Sequence, residues 1–178
     1  MNRRAVVYAA VFSVASYAVA AGMVLGTSSF ALSIFADPFL TLTVPLILIS
    51  VGIQVVNSRY GPGLIALFSS LLYAATGVLF LLPTFLVAGA VDEAVSRIVG
   101  YRGFRAVMVN TTLVGTLVGV LSVIFGILML GVPTGTRDLS LYMTAFSLGY
   151  LGESALMGYL SHLLGSYLIK SGVIRGED

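Results

Sequence analysis

Cysteine and tryptophan are absent from this chain of 178 residues, and histidine occurs once, at His162. The lack of cysteine excludes disulfides, thiolate metal sites and a cysteine nucleophile, and a single histidine excludes a multi-histidine metal site. Charged residues are scarce too, at 9%, against about 25% in a typical soluble domain. We expect no metal and no cofactor, and a net charge of +2 is too small to indicate nucleic-acid binding.

Apolar residues make up 58% of the chain and fall into long runs. Since about 20 apolar residues form a helix that crosses the hydrocarbon core, the runs predict an all-α membrane protein, a bundle of six transmembrane helices in one domain, 1–178. The expected helices are 5–25, 39–57, 62–82, 83–99, 104–130 and 141–169. Gly61-Pro62-Gly63 opens the third helix, and Leu82-Pro83 separates it from the fourth.

The basic residues indicate how these helices are oriented. With the N-terminus inside, eight of the nine basic residues fall on the cytoplasmic side, and Arg137 alone lies outside. Both termini are therefore expected in the cytoplasm, with the chain passing through the membrane several times. A cleaved signal peptide is the alternative for Arg3-Arg4 and Ala18-Val19-Ala20. It fits less well, because the apolar run continues to Leu25 and cleavage leaves an odd number of helices.

Ionisable side chains inside a bilayer are costly, so each one is a candidate functional group. Glu93 precedes Arg97 by four residues, and this spacing favours an ion pair on one helix face. Asp92 has no such partner in the sequence and is expected to face the bundle interior or another subunit. It is one of the candidate substrate-binding residues.

A second candidate site lies on the sixth helix, where four side chains are three or four residues apart and share one face. They are Tyr142, Phe146, Tyr150 and Glu153. Aromatic rings beside a carboxylate suit a small, flat, cationic ligand, through stacking and cation–π contact. The alternative is that the tyrosines anchor the helix at the membrane interface and that Glu153 bonds to a neighbouring helix. The sequence leaves both interpretations open.

Polar and small residues mark further helix faces. Asn110 lies in a polar patch of the fifth helix and is a candidate site residue, although such side chains often bond across membrane helices. His162 is expected to be a packed, hydrogen-bonded group. Small residues form a row on the first helix, at Ala5, Ala9 and Ser13, and small residues let helices approach closely in lipid.

Several segments together resemble the substrate-binding S component of an energy-coupling factor (ECF) transporter, a vitamin-uptake type of ABC importer. The similarity covers most of the chain. Residues 4–10 are similar to the alanine-spaced first helix of that family, and Val44-Pro45-Leu46 with Tyr60-Gly61-Pro62-Gly63 resembles its second helix and the following turn. Residues 82–92 resemble the opening of its fourth helix, and 158–172 resemble its last helix.

This resemblance implies a binding protein rather than an enzyme, with a vitamin-like small molecule held near the outer face under the segment Gly26 to Pro38. It implies pocket positions on the later helices, which are Thr84, Tyr142, Phe146, Tyr150 and Glu153. It further implies a transmembrane coupling subunit, docked on the row Ala5, Ala9 and Ser13, and two cytoplasmic ATPases. The acidic, tyrosine-bearing pocket favours thiamine or its pyrimidine precursor, although the tryptophan of many such pockets is absent.

Two other classes of protein, membrane-embedded enzymes and stand-alone carriers, fit the sequence less well. Membrane-embedded enzymes of lipid or prenyl metabolism usually have clustered aspartates that hold a divalent metal, whereas the acidic residues here are dispersed. Stand-alone carriers usually show internal repeats or broken helices, and neither is visible here.

Overall fold

The computed structural model describes residues 3–27, 35, 37–131 and 139–172, and within these ranges the chain forms six α-helices and no strand. The predicted all-α fold class is confirmed for this part of the chain. The helices are α1 Arg3–Thr27, α2 Asp37–Val56, α3 Gly61–Ala75, α4 Leu81–Val99, α5 Phe104–Leu130 and α6 Leu139–Lys170.

The end of α3 differs from the prediction. The helix stops at Ala75 rather than Leu82, because Gly77 takes a positive φ of 86° that continues no right-handed helix. Oγ1 of Thr76 contacts the Tyr73 carbonyl oxygen at 3.0 Å, and this contact satisfies one of the free carbonyls at the helix end. The predicted break at Leu82-Pro83 is therefore wrong, since Pro83 lies in the first turn of α4, where its missing N–H is tolerated.

Small residues bring the helices close together. Oγ of Ser13 donates to the Ile65 carbonyl of α3 at 3.0 Å, and Oγ of Ser16 donates to the Pro45 carbonyl of α2 at 3.2 Å. α2 is the central helix, in contact with α1, α3, α5 and α6, and α4 packs between α3 and α5. α1 and α2 run in opposite directions, because Ser16 meets Pro45 whereas Phe12 meets Gly52. α5 and α6 also run in opposite directions, because Gly119 meets Tyr150 whereas Gly115 meets Ser154.

The described basic residues lie at one end of the bundle. Arg102, in the turn before α5, donates from Nε to the Gln54 carbonyl near the end of α2 at 2.8 Å, and Gln54 donates from Nε2 to the Ser161 carbonyl of α6 at 3.0 Å. Since α1 also starts at this end, the described basic residues all share it. They are Arg3, Arg4, Arg59, Arg97, Arg102, Arg105 and Lys170.

Many polar side chains are buried in this bundle beside an apolar core that includes Ile65, Val114 and Val118, and many large apolar side chains are exposed. The interior is rich in polar side chains, which are Ser13, Ser16, Ser50, Gln54, Ser69, Ser70, Thr84, Asp92, Ser96, Asn110, Thr111, Ser122, Ser154 and Ser161. The outer surface carries large apolar side chains, including Val7, Leu128, Leu148, Leu156 and Tyr167. Apolar patches of this kind are rare on soluble monomers.

Two helices are long and apolar enough to cross a membrane, the Arg3–Met23 part of α1 and Phe104–Leu130. The other described helices do not meet this criterion. α3 has only 15 residues, and α4 carries Asp92, Glu93 and Arg97. The prediction that all six helices cross the bilayer therefore stays a prediction.

Candidate functional site

An aromatic cluster joins α6 to the start of α2 at the end opposite the basic residues. The Phe39 and Tyr150 ring centroids are 4.7 Å apart, and Phe35 lies 5.2 Å from Phe146 and 5.9 Å from Tyr142. The structure thus brings the predicted aromatic face of α6 against two further rings. We name these five rings the aromatic cluster.

Two glycines make room for the cluster. A Cβ at Gly149 would lie 2.6 Å from Cζ of Phe39, and a Cβ at Gly119 of α5 would lie 2.6 Å from Cγ of Tyr150. The hydroxyl of the buried Tyr150 donates to the Phe35 carbonyl. The ring is therefore held by packing against Gly119 and by this hydrogen bond. Tyr142 is 49% exposed and forms the outer edge of the cluster.

Glu153 lies one turn below Tyr150, and its carboxylate accepts a hydrogen bond from Oγ1 of Thr43 at 2.5 Å. The side chain is half-buried. Among the residues that the structure describes, the only ion pair joins Arg97 to Glu93, so Glu153 has no cationic partner there. A partly desolvated carboxylate beside aromatic faces is a favourable place for a cation.

Three other predicted site residues lie away from this cluster. Thr84 is buried in α4, a helix that does not contact α6, and its Oγ1 donates to the Phe80 carbonyl at 2.9 Å. Asn110 donates from Nδ2 to the Gly100 carbonyl at 2.9 Å, near the basic end. Asp92 is buried in the core, where Oγ of Ser96 donates to its Oδ1 at 3.2 Å. The structure does not unite these three with Glu153.

The predicted docking row also lies inside the bundle. Ala5, Ala9 and Ser13 are buried, with Ala9 fully inaccessible, so this row forms no exposed docking surface. The expectation was wrong in this respect because the small side chains serve close packing of α1 against α2 and α3. Among the described side chains of α1, the large apolar ones that are exposed are Val7, Val11 and Val14.

Two interpretations of polar residues agree with the structure. Nε of Arg97 donates to Oε1 of Glu93 at 3.0 Å, which confirms the expected pair, and Oε2 of Glu93 accepts from the Gly63 backbone N–H at 3.3 Å. His162 packs edge-on against Phe104, with ring centroids 5.3 Å apart, as expected for a packed group.

The bundle core holds a small cavity between α2, α3, α4 and α5. It contains about 20 Å³ of space, enough for roughly one water molecule and far too little for a vitamin. This cavity therefore does not accommodate a vitamin-sized solute.

Three residues of the candidate site were missed by the sequence analysis. Phe35 was assigned to the segment from Gly26 to Pro38, of which the structure describes Gly26, Thr27, Phe35, Asp37 and Pro38. Phe39 and Thr43 were not singled out. Phe35, Phe39 and Thr43 are spaced four residues apart, as are the aromatic residues of α6. This spacing was the sequence pattern that could have identified them. The sequence matches no known family model, no curated protein and no solved structure.

Proposed function

We propose that this chain is a multi-pass protein of a prokaryotic plasma membrane, with six membrane-crossing helices and both termini in the cytoplasm. The exposed large apolar side chains support this proposal, because lipid is the solvent that favours such side chains on the outside. The many buried hydroxyl groups also support it, since hydroxyl groups commonly bond between helices in membranes. The basic end supports the orientation, since arginine and lysine are enriched on the cytoplasmic side. The aromatic cluster then lies at the outer face.

Within this membrane bundle, the chain acts as the substrate-binding subunit of an importer and resembles an ECF S component. The observation that carries this proposal is the half-buried Glu153 carboxylate beside aromatic rings, without a cationic partner among the described residues. A flat, cationic, vitamin-like molecule complements these groups, and thiamine or its pyrimidine precursor has this chemistry.

The residues of the site have separate tasks. Glu153 supplies the negative charge, and the hydrogen bond from Thr43 holds the Glu153 carboxylate against α2. The partly exposed rings of Tyr142 and Phe146 supply stacking surfaces, and the buried Tyr150 ring packs behind Phe146. Attraction between a cation and such faces is worth about 0.5–2 kcal/mol. Binding requires no metal and no nucleotide.

Uptake is driven by partners in this proposal, a transmembrane coupling subunit and two cytoplasmic ATPases. The buried row of Ala5, Ala9 and Ser13 is not available to the coupling subunit in this conformation. The outward face of α1, with Val7, Val11 and Val14, is the accessible part of that helix.

Direct binding tests the proposal. The full chain, purified in detergent without metal or nucleotide, is incubated with tritiated thiamine, its pyrimidine precursor and a panel of uncharged and anionic vitamins. We expect saturable binding of a cationic member. No binding across the panel, together with metal-dependent turnover of a lipid or uptake by the chain alone in vesicles, would favour the enzyme or the stand-alone carrier instead.

A further inference from the structure

A second ionisable site lies in the bundle core and is separate from the solute site. The Asp92 side chain is 2% exposed, and its Oδ1 accepts a hydrogen bond from the hydroxyl of Ser96 on the same helix. No described arginine or lysine forms an ion pair with it. Burying an ionised carboxylate without a counter-charge is strongly unfavourable, and such a group is accommodated by taking up a proton.

The small core cavity touches this carboxyl group. Its wall also includes Ser69 of α3, whose Oγ is buried and has no hydrogen-bond partner in the described part of the chain. The rest of the wall is apolar, with Ile49, Ile53, Ile65, Phe85 and Val114 among its residues. A buried hydroxyl without a partner is costly, and a cavity of this size admits one water molecule to satisfy it.

The charged surroundings of Asp92 come from its own helix and from two turns. Glu93 is engaged by Arg97 and Gly63. Tyr101 of the turn before α5 lies within electrostatic range of Asp92, Glu93 and Arg97, and Arg59 of the turn before α3 lies within electrostatic range of Tyr101. The parts of α2, α3 and α5 that line the cavity contribute no ionisable side chain, so these helices offer no counter-charge to Asp92.

We propose that Asp92 is a proton-binding site that controls how tightly α3 and α4 pack. In the packed bundle its carboxyl group is neutral and contacts Ser96 and the cavity. When the proton passes to water, the remaining carboxylate draws more water into the cavity. The helices then separate beside Gly89 and Ala66, where the two backbones lie too close for an added Cβ. This site does not depend on the solute specificity of the aromatic cluster.

The chain has no cysteine. A single cysteine introduced into the cavity wall therefore reports, through its reactivity, how accessible this cavity is to water. Ser69→Cys is introduced into this chain, alone and together with Asp92→Asn, and the rate of reaction with N-ethylmaleimide is measured from about pH 5 to about pH 9. This range lies above the ordinary aspartate pKa of about 3.9 and includes the ordinary cysteine pKa of about 8.5. An ionised Asp92 also disfavours the thiolate form of a cysteine in the same cavity, and this slows the reaction, so the effect is opposite in sign to the expected rise. We expect the rate ratio between the two proteins to rise with pH, by up to about tenfold per pH unit, the limit for release of one proton.

A buried thiol away from the cavity provides a second reference. Ser122→Cys in α5 is also buried, so the ratio of Ser69→Cys to Ser122→Cys tests the proposal even if Asp92→Asn fails to fold. Infrared difference spectra between the wild type and Asp92→Asn at neutral pH should show the carbonyl stretch of a protonated carboxyl group. A ratio that does not change with pH overturns the proposal, and so does a spectrum that shows only ionised carboxylate at this position.

Discussion

Glu153 on α6 and Thr43 on α2 are joined by a hydrogen bond of 2.5 Å, although 110 residues separate them in the chain. The bond places a carboxylate beside the aromatic cluster. Replacement of Glu153 by Gln keeps the shape and the hydrogen bond but removes the charge. We expect binding of a cationic ligand to weaken more than tenfold, since a hydrogen bond to a charged group contributes about 1.5–3 kcal/mol. Equilibrium binding of the tritiated ligand measures this loss.

Thr43→Val is the matched control for this experiment. It removes the hydroxyl and leaves the carboxylate, so its effect on affinity should be smaller than that of Glu153→Gln. Equal affinity of Glu153→Gln and the wild type for a cationic ligand would show that the carboxylate serves only to join α2 and α6.

Close helix contact at Gly89 predicts a strong effect of one methyl group. A Cβ at Gly89 of α4 would overlap the Cβ of Ala66 on α3, whereas a Cβ at Gly152 of α6 would meet no atom within 4 Å. We expect Gly89→Ala to destabilise the bundle by about 1–3 kcal/mol through overpacking. Gly152→Ala should be neutral or stabilising by up to about 1 kcal/mol, because alanine favours helix. Thermal unfolding in one detergent compares them, and equal melting temperatures would contradict this packing.

Most helix positions could be predicted from the sequence, because long apolar runs have few alternative structures. α5 begins and ends where the apolar run predicts, at Phe104 and Leu130. The early end of α3 could not be predicted in the same way. It depends on the positive φ of Gly77, which lies inside a continuous apolar run and gives no change in hydropathy.

The candidate site was only partly predictable. Residues that share one helix face recur every three or four positions in the sequence. This spacing identified Tyr142, Phe146, Tyr150 and Glu153 together. The partner of Glu153 depends on how α2 meets α6, and no local pattern specifies that contact. That the small-residue row on α1 faces the bundle interior could not be predicted, for a related reason. Small side chains suit an internal contact and a docking surface equally well.

Burial of Ala9 predicts a structural effect for a larger side chain. Ala9 is fully buried, whereas Val11, two residues later on α1, is 56% exposed. We expect Ala9→Leu to lower the free energy of unfolding by about 1–3 kcal/mol through overpacking, and therefore to lower the melting temperature. Val11→Leu should leave the melting temperature unchanged. If Ala9→Leu keeps its stability and its ligand affinity but abolishes uptake in cells with the partner proteins, then Ala9 faces a partner during transport.

The proposed orientation places the two ends of α3 on opposite sides of the membrane. Its 15 residues span about 22 Å, less than the hydrocarbon core of about 30 Å, so the flanking turns must complete the crossing. We replace Ser58, in the turn before α3, or Leu79, an exposed residue in the turn after it, by cysteine. A membrane-impermeant thiol reagent added to intact cells should label Leu79→Cys, and it should label Ser58→Cys only after permeabilisation. Labelling of both from outside would exclude a crossing by α3, and the reverse result would invert the orientation, placing the aromatic cluster in the cytoplasm.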